Sequence, residues 1–77
     1  MKTFYYIDKQ YKDTLQPDIY YSYERIPYHN KFFTSQEAAL EYARNQRVYL
    51  EDDERFLIFS DTDDTTKVVN KYDSIFH

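Results

Sequence analysis

The sequence predicts a single small α+β domain in the order ββαββ, with an antiparallel sheet of about four strands and one helix packed on one face. Three observations lead to this fold class. The chain has 77 residues, which is enough for one core and no more. Four segments rich in aromatic and β-branched residues are separated by polar turn segments. One segment in the middle has the periodicity and the capping signals of a helix.

The first two strands are predicted as a hairpin. Residues 2–8, KTFYYID, are aromatic and β-branched without a breaker, and residues 19–26, IYYSYERI, have the same character. Residues 9–18 between them are polar and contain Pro17, which predicts a long loop. Side chains alternate along a strand, so the second strand should show tyrosine on both faces. We expect Ile19, Tyr21 and Tyr23 on one face, and Tyr20, Ser22, Glu24 and Ile26 on the other.

The helix is the clearest local prediction. Thr34 and Glu37 have the spacing of a capping box, which predicts Thr34 as the N-cap of a helix over residues 35–46. The residues that follow are mostly good helix formers. The apolar stripe of this helix is narrow. It consists of Ala39, Leu40 and Ala43, with Tyr42 at its margin.

The last two strands are predicted after an acidic connection at residues 48–54. Residues 55–60, RFLIFS, form a continuous apolar run that is typical of a strand covered on both sides. Residues 66–72, TKVVNKY, carry lysines at positions 67 and 71, as an edge strand often does.

The composition excludes several kinds of chemistry. The chain contains no cysteine and no glycine, so disulfides, thiolate zinc sites and phosphate-cradling glycine loops are not expected. Neither His29 nor His77 has a second metal ligand or a nucleophile at a known spacing. We therefore expect no enzyme and no cofactor. A small chain without disulfides, without an apolar leader segment and without a membrane-length apolar run is expected in the cytoplasm.

The amino-acid usage also carries a hint about origin. The chain favours Tyr, Phe, Lys, Ile and Asp over Gly, Ala, Pro and Trp, as AT-rich genes do. This association points to an accessory gene of a phage or mobile element, or to a low-GC bacterium.

The aromatic residues exceed what one helix is expected to cover. The chain has ten tyrosines and six phenylalanines, and each buried ring removes roughly 150–250 Å² from water. A two-layer domain normally has a polar outer sheet face, but the first three predicted strands are aromatic or apolar on both faces.

Three interpretations of this excess remain open. In the first, the tyrosines are ordinary surface residues with their hydroxyls in water. In the second, they form an interface with another protein or with a second copy of the chain. In the third, they form a platform on which nucleobases stack. The net charge of −4 disfavours direct nucleic-acid binding. The sequence therefore predicts a non-enzymatic protein-binding module, for which a phage-encoded inhibitor of a host protein is one biological form. The predicted contact tyrosines are Tyr5, Tyr20, Tyr21, Tyr23 and Tyr28.

Two acidic turns give an alternative function. Asp52 and Asp53 lie in one, and Asp63 and Asp64 in the other. In this alternative, the four aspartates imitate a row of phosphates and bind in the DNA-binding cleft of another protein. The competing interpretation is that the two turns only keep a tyrosine-rich chain soluble. A calcium loop from Asp61 is disfavoured because the central glycine and the final glutamate are missing.

Overall fold

The computed structural model describes residues 2–28 and 31–75 and confirms the predicted ββαββ order. The four strands form one antiparallel sheet in the order β2-β1-β3-β4. The third strand lies inside the sheet, and the predicted edge position of the fourth is confirmed. The elements are β1 (Phe4–Lys12), β2 (Tyr20–Ile26), α1 (Gln36–Gln46), a 3₁₀ turn (Arg47–Tyr49), β3 (Glu54–Asp61) and β4 (Thr66–Asp73).

Strand β1 is longer than the sequence pattern predicts. The prediction ended it at residue 8, but it continues to Lys12. The polar segment after Asp8 was taken for a loop, yet its backbone pairs with β2 on one side and with β3 on the other. A central strand can carry polar residues because its main chain is satisfied from both neighbours. The buried Gln10 side chain donates to Ser22 Oγ and accepts from Arg55 Nε, both at 2.9 Å.

A β-bulge in β2 changes which residues share a face. Lys9 pairs with Glu24 and Gln10 pairs with Ser22, so Tyr23 is an extra residue in the second strand. Tyr21 pairs with Tyr11 and Ile26 pairs with Ile7, which places Tyr21 and Ile26 on the same face of the sheet. The prediction that they lie on opposite faces, made from strict alternation, is therefore wrong.

The helix begins one residue later than predicted. Its N-cap is Ser35, whose Oγ accepts a hydrogen bond from the Ala38 amide at 3.1 Å. The prediction of Thr34 as the N-cap is wrong, because Ser35 is the last residue with extended backbone before the helix. Ala39 and Ala43 are buried against the sheet, and these small side chains allow a close approach.

The core lies between α1 and one face of the sheet, which we call the helix face. Ile7 and Ile58 are fully buried there and pair directly across β1 and β3. The helix packs across β1, β3 and β4. The buried apolar cluster comprises Ile7, Ala39, Ala43, Leu50, Phe56 and Ile58.

The opposite side of the sheet, which we call the open face, has no helix but is covered by the chain itself. Phe32 comes from the loop before α1, and its ring centre lies 5.1 Å from that of Phe4 and 6.4 Å from that of Tyr6. Tyr6 stacks on Phe59 at 5.0 Å and is covered by the Arg25 guanidinium at 4.1 Å. The aromatic excess that one helix was expected to leave uncovered is therefore partly covered by the chain itself.

The next residue, Phe33, serves the helix face instead. Its amide donates to the Tyr5 carbonyl at 2.8 Å and its carbonyl accepts from the Tyr5 amide at 3.0 Å, as one isolated antiparallel bridge. Its ring packs on Tyr42 of the helix. Two consecutive phenylalanines therefore cover the two faces of the sheet, because alternate residues of extended backbone point to opposite sides.

The two helical segments within residues 2–28 and 31–75 lack the length and apolar character that a membrane span needs.

Candidate protein-contact surface

Three tyrosines form a continuous exposed surface on the helix face, beyond the end of the core. Tyr11 and Tyr21 are opposite each other on β1 and β2, and Tyr23 is the bulge residue. Tyr11 has its ring centre 5.5 Å from that of Tyr21 and 5.5 Å from that of Tyr23. Their exposures are 41%, 44% and 48% for Tyr11, Tyr21 and Tyr23. We call these three residues the tyrosine surface.

Asp13 holds one hydroxyl of this surface in place. The Tyr21 hydroxyl donates to Asp13 Oδ2 at 2.8 Å. The other oxygen, Oδ1, accepts from the amides of Leu15 at 2.7 Å and Gln16 at 2.9 Å, which fixes the turn of the hairpin loop. The hydrogen bond from Tyr21, and then those two amides, lower the pKa of Asp13. The same bond to Asp13 raises the pKa of Tyr21.

Glu54 holds a second hydroxyl. It accepts a hydrogen bond from the Tyr23 hydroxyl, lies 3.9 Å from Lys9 Nζ and accepts from the Glu51 amide at 2.8 Å. Burial alone would raise the pKa of Glu54, but the bonds from Glu51 and Tyr23 and the charge of Lys9 outweigh it and lower that pKa. Burial and then the bond to Glu54 strongly raise the pKa of Tyr23. Lys9 also lies 5.6 Å from the Tyr23 ring centre.

The rim of the tyrosine surface is acidic. The turn before β3 lies against this end of the sheet, since the Lys12 amide donates to the Asp53 carbonyl at 2.7 Å. Two lysines, Lys9 and Lys12, belong to the same region. The carboxylates on the hairpin loop, on β2, on that turn and at the start of β3 are Asp13, Asp18, Glu24, Glu51, Asp52, Asp53 and Glu54.

An apolar groove continues from this surface toward the helix. It has a volume of about 510 Å³. Ile26, Phe33 and Tyr42 form its apolar walls, between β2 and α1, and Pro27 and Lys31 complete it. Glu24 and Tyr28 lie at the groove, and the Tyr28 hydroxyl donates to the Glu24 carboxylate. Glu24 thus belongs to both the groove and the acidic rim.

The structure brings together only some of the residues predicted as a contact site. Tyr21 and Tyr23 are neighbours on the tyrosine surface, and Tyr28 is exposed at the adjoining groove. Tyr5 lies on the same side of the sheet but packs against the core. Tyr20 pairs with Lys12 on the open face, where the Arg55 guanidinium covers its ring at 3.5 Å.

The two predicted acidic turns are separated. Asp52 and Asp53 precede β3, whereas Asp63 and Asp64 follow it. This strand has eight residues, which span roughly 25 Å. All four aspartates are exposed, but only the first pair adjoins the tyrosine surface.

Sequence reasoning missed Tyr11 and Glu54. Tyr11 was assigned to a loop, although the alternation of Tyr5, Ile7, Lys9 and Tyr11 continues the helix face of β1 without a break. That period of two was the available signal. Glu54 was taken as one more member of an acidic run, and nothing in the sequence indicates that it pairs with Tyr23.

Other chemistry finds little support in the described part of the chain. No group of three or more potential metal ligands occurs within residues 2–28 and 31–75, and the two histidines lie outside them. On the open face, Arg25 covers Tyr6 and Arg55 covers Tyr20, so these rings are already occupied by guanidinium groups. A smaller cavity of about 270 Å³ near the start of the helix is lined mainly by hydroxyl groups and Lys67.

Comparison of the chain with protein-family models, with curated proteins and with solved structures finds no match.

Proposed function

We propose that this chain is a non-enzymatic protein-binding module that contacts its partner through the tyrosine surface and the adjoining groove. One observation carries the proposal. Three half-exposed tyrosines pack ring to ring on the part of the helix face that lies beyond the buried core. Tyrosine is enriched in protein interfaces because it offers a large, stiff contact area with a polar tip.

The hydrogen bonds of the surface support the same function. Asp13 and Glu54 fix the Tyr21 and Tyr23 hydroxyls, and Tyr11 packs between the two rings. A partner that binds rings already held in place loses less side-chain entropy, which is roughly 0.5–1.5 kcal/mol for each mobile side chain that binding would otherwise order. The groove beside the surface offers an apolar recess for a side chain of the partner.

The amino-acid usage supports a biological form for this activity. We propose a cytoplasmic inhibitor or modulator encoded by a phage or mobile element, which acts on a host protein by contact. A second copy of the chain is the other partner to be tested.

The test compares two variants that remove exposed tyrosines at different locations. The first is Y11S/Y21S, on the tyrosine surface. The control is Y49S, because Tyr49 is 74% exposed but lies on the 3₁₀ turn after the helix. Tagged wild-type protein is used to capture a partner from a lysate of the source organism, the partner is identified by mass spectrometry, and its affinity for each variant is measured with purified components. The same three proteins are examined by sedimentation over a wide concentration range.

We expect Y11S/Y21S to lose the partner, or to lose self-association, while Y49S keeps it. Circular dichroism shows whether each variant is folded. A folded Y11S/Y21S protein that binds every partner of the wild type with unchanged affinity would refute the proposal.

A further inference from the structure

We propose that the tyrosine surface accepts a basic polypeptide segment of the partner, with arginine side chains over the rings of Tyr11 and Tyr21. This inference rests on the proposed function and names the chemical class of its partner. Two independent observations carry it: the distribution of cations over aromatic rings in this molecule, and the distribution of charge around the surface.

The molecule uses cations to cover its own tyrosine rings. Arg25 covers Tyr6, and Arg55 covers Tyr20, at 4.1 and 3.5 Å from the ring centres. Lys12, Arg47 and Lys9 make further contacts of this kind, with Tyr20, Tyr72 and Tyr23 respectively. Energetically significant contacts of this kind occur about once per 70–80 residues in an average protein, and this chain places guanidinium groups within 4.1 Å of two tyrosine ring centres.

Tyr11 and Tyr21 differ from those rings. Within residues 2–28 and 31–75, no lysine or arginine lies over either of them. More than two fifths of the surface of each residue is exposed to solvent. A tyrosine ring has a negative face of the kind on which the other tyrosine rings of the molecule hold a cation.

The charge around the surface favours the same ligand. The acidic rim contains half of the fourteen carboxylate residues of the chain, while the cations of the two strands that carry these tyrosines are Lys9, Lys12 and Arg25. Of these, Arg25 covers Tyr6 on the open face. Lys9 is already held by Glu54. An incoming cation therefore meets complementary charge. Arginine suits the site better than lysine because its planar guanidinium is weakly hydrated, stacks on aromatic faces and binds carboxylates in a fork.

The experiment titrates the full chain with an octa-arginine peptide at moderate salt, by isothermal calorimetry. Octa-arginine contains no aromatic residue, so tyrosine fluorescence gives a second readout from the protein alone. Two variants with the same change in net charge are compared. D52N/D53N neutralises the turn beside the tyrosine surface, and D63N/D64N neutralises the turn at the far end of β3. All four residues are exposed.

We expect D52N/D53N to weaken octa-arginine binding by roughly fivefold, and D63N/D64N to leave it within a factor of two. We expect Y11S/Y21S to weaken it as well. Should that variant fail to fold, Y11L/Y21L replaces it, because leucine keeps apolar volume but has no aromatic face.

Three results would overturn the inference. Equal weakening by D52N/D53N and D63N/D64N would mean that net charge alone attracts the peptide. Unchanged affinity in the tyrosine variant would mean that the rings take no part. Failure of octa-arginine to bind the wild-type chain would exclude a basic segment altogether. If the captured partner is still lost in Y11S/Y21S in any of these cases, the proposed function stands and its partner has a different chemistry.

Discussion

The contact between Tyr23 and Glu54 can be tested by removing a single oxygen atom. Tyr23→Phe keeps the ring that packs on Tyr11 but removes the hydroxyl that donates to the Glu54 carboxylate. Glu54→Gln keeps the shape of the acceptor but removes its charge, and with it the ion pair to Lys9. The two changes and their combination form a double-mutant cycle.

The size of the effect follows from the burial of the two partners. A hydrogen bond to a charged group stabilises a fold by roughly 1.5–3 kcal/mol when it is shielded from water. Tyr23 is 48% exposed, so water competes for its hydroxyl, and exposed ion pairs contribute only about 0.2–1 kcal/mol. We therefore expect Tyr23→Phe to lower the free energy of unfolding by about 1 kcal/mol. In a domain of this size, that corresponds to a fall in Tm of roughly 4–8 °C.

The pH dependence of the coupling has a definite sign. The folded-state pKa of Glu54 is lowered, so its contribution is complete above its unfolded pKa and is lost as the pH falls through the folded value. The folded-state pKa of Tyr23 is raised, so its contribution is complete below the ordinary tyrosine pKa of about 10 and is lost at more alkaline pH. The coupling should therefore be largest between about pH 5 and pH 10.

The assay is urea denaturation followed by far-ultraviolet circular dichroism, for the four proteins of the cycle at pH 7 and at an acidic pH where the fold persists. Tyr49→Phe serves as the control for loss of an exposed hydroxyl, and we expect it to change stability by less than about 0.5 kcal/mol. Additive effects of Tyr23→Phe and Glu54→Gln at pH 7 would refute the reasoning. A coupling that grows on acidification would refute the assigned sign.

Two further predictions concern the fold. Ser35→Ala should lower the free energy of unfolding by about 1 kcal/mol because it removes the N-cap oxygen, whereas Thr34→Ala should change it by less than about 0.5 kcal/mol. Thermal melts of the two variants decide between the two capping positions, and a larger loss from Thr34→Ala would contradict the structure. Ile58→Ala should lower the free energy of unfolding by about 3 kcal/mol because the side chain is fully buried. Val68→Ala, at an exposed position on the neighbouring strand, should change it by no more than about 1 kcal/mol. Similar losses of stability for the two variants in urea denaturation would show that the core lies elsewhere.

The order of the elements could be predicted because local patterns specify it. The helix has its own periodicity and formers, and residues 55–60 form an apolar run that belongs in the middle of a sheet. Both signals depend only on residues that are close together in the sequence. The position of the N-cap was missed by one residue because Thr34 and Ser35 are both good capping residues, and only the observed backbone shows which one precedes the helix.

The extent of β1 could not be read from polarity. Lys9, Gln10 and Lys12 resemble a turn when they are read alone. They belong to a strand because two neighbouring strands supply hydrogen-bond partners to their backbone, and that is a tertiary condition. The alternation from Tyr5 to Tyr11 was the weaker signal that would have extended the strand.

The make-up of the contact surface depended on a feature without a sequence signature. The bulge at Tyr23 places Tyr21, Tyr23 and Ile26 on one side of the sheet, whereas strict alternation places Ile26 on the face opposite to the two tyrosines. The self-covering of the open face was also missed, because Phe32 and Phe33 read as one hydrophobic pair and not as the covers of two faces. The sequence did indicate that strand 2 contributes exposed tyrosines, and Tyr21 and Tyr23 are exposed.

The helix and the fully buried isoleucines occupy one part of an elongated molecule of 40 × 24 × 21 Å, and the hairpin carries Tyr11 and Tyr21 beyond them. Tyr11 and Tyr21 lie outside the buried cluster, so variation at these two positions leaves the contacts of the core unchanged. A library randomised at Leu15, Ile19 and the two paired tyrosines would change what the molecule recognises while keeping the scaffold.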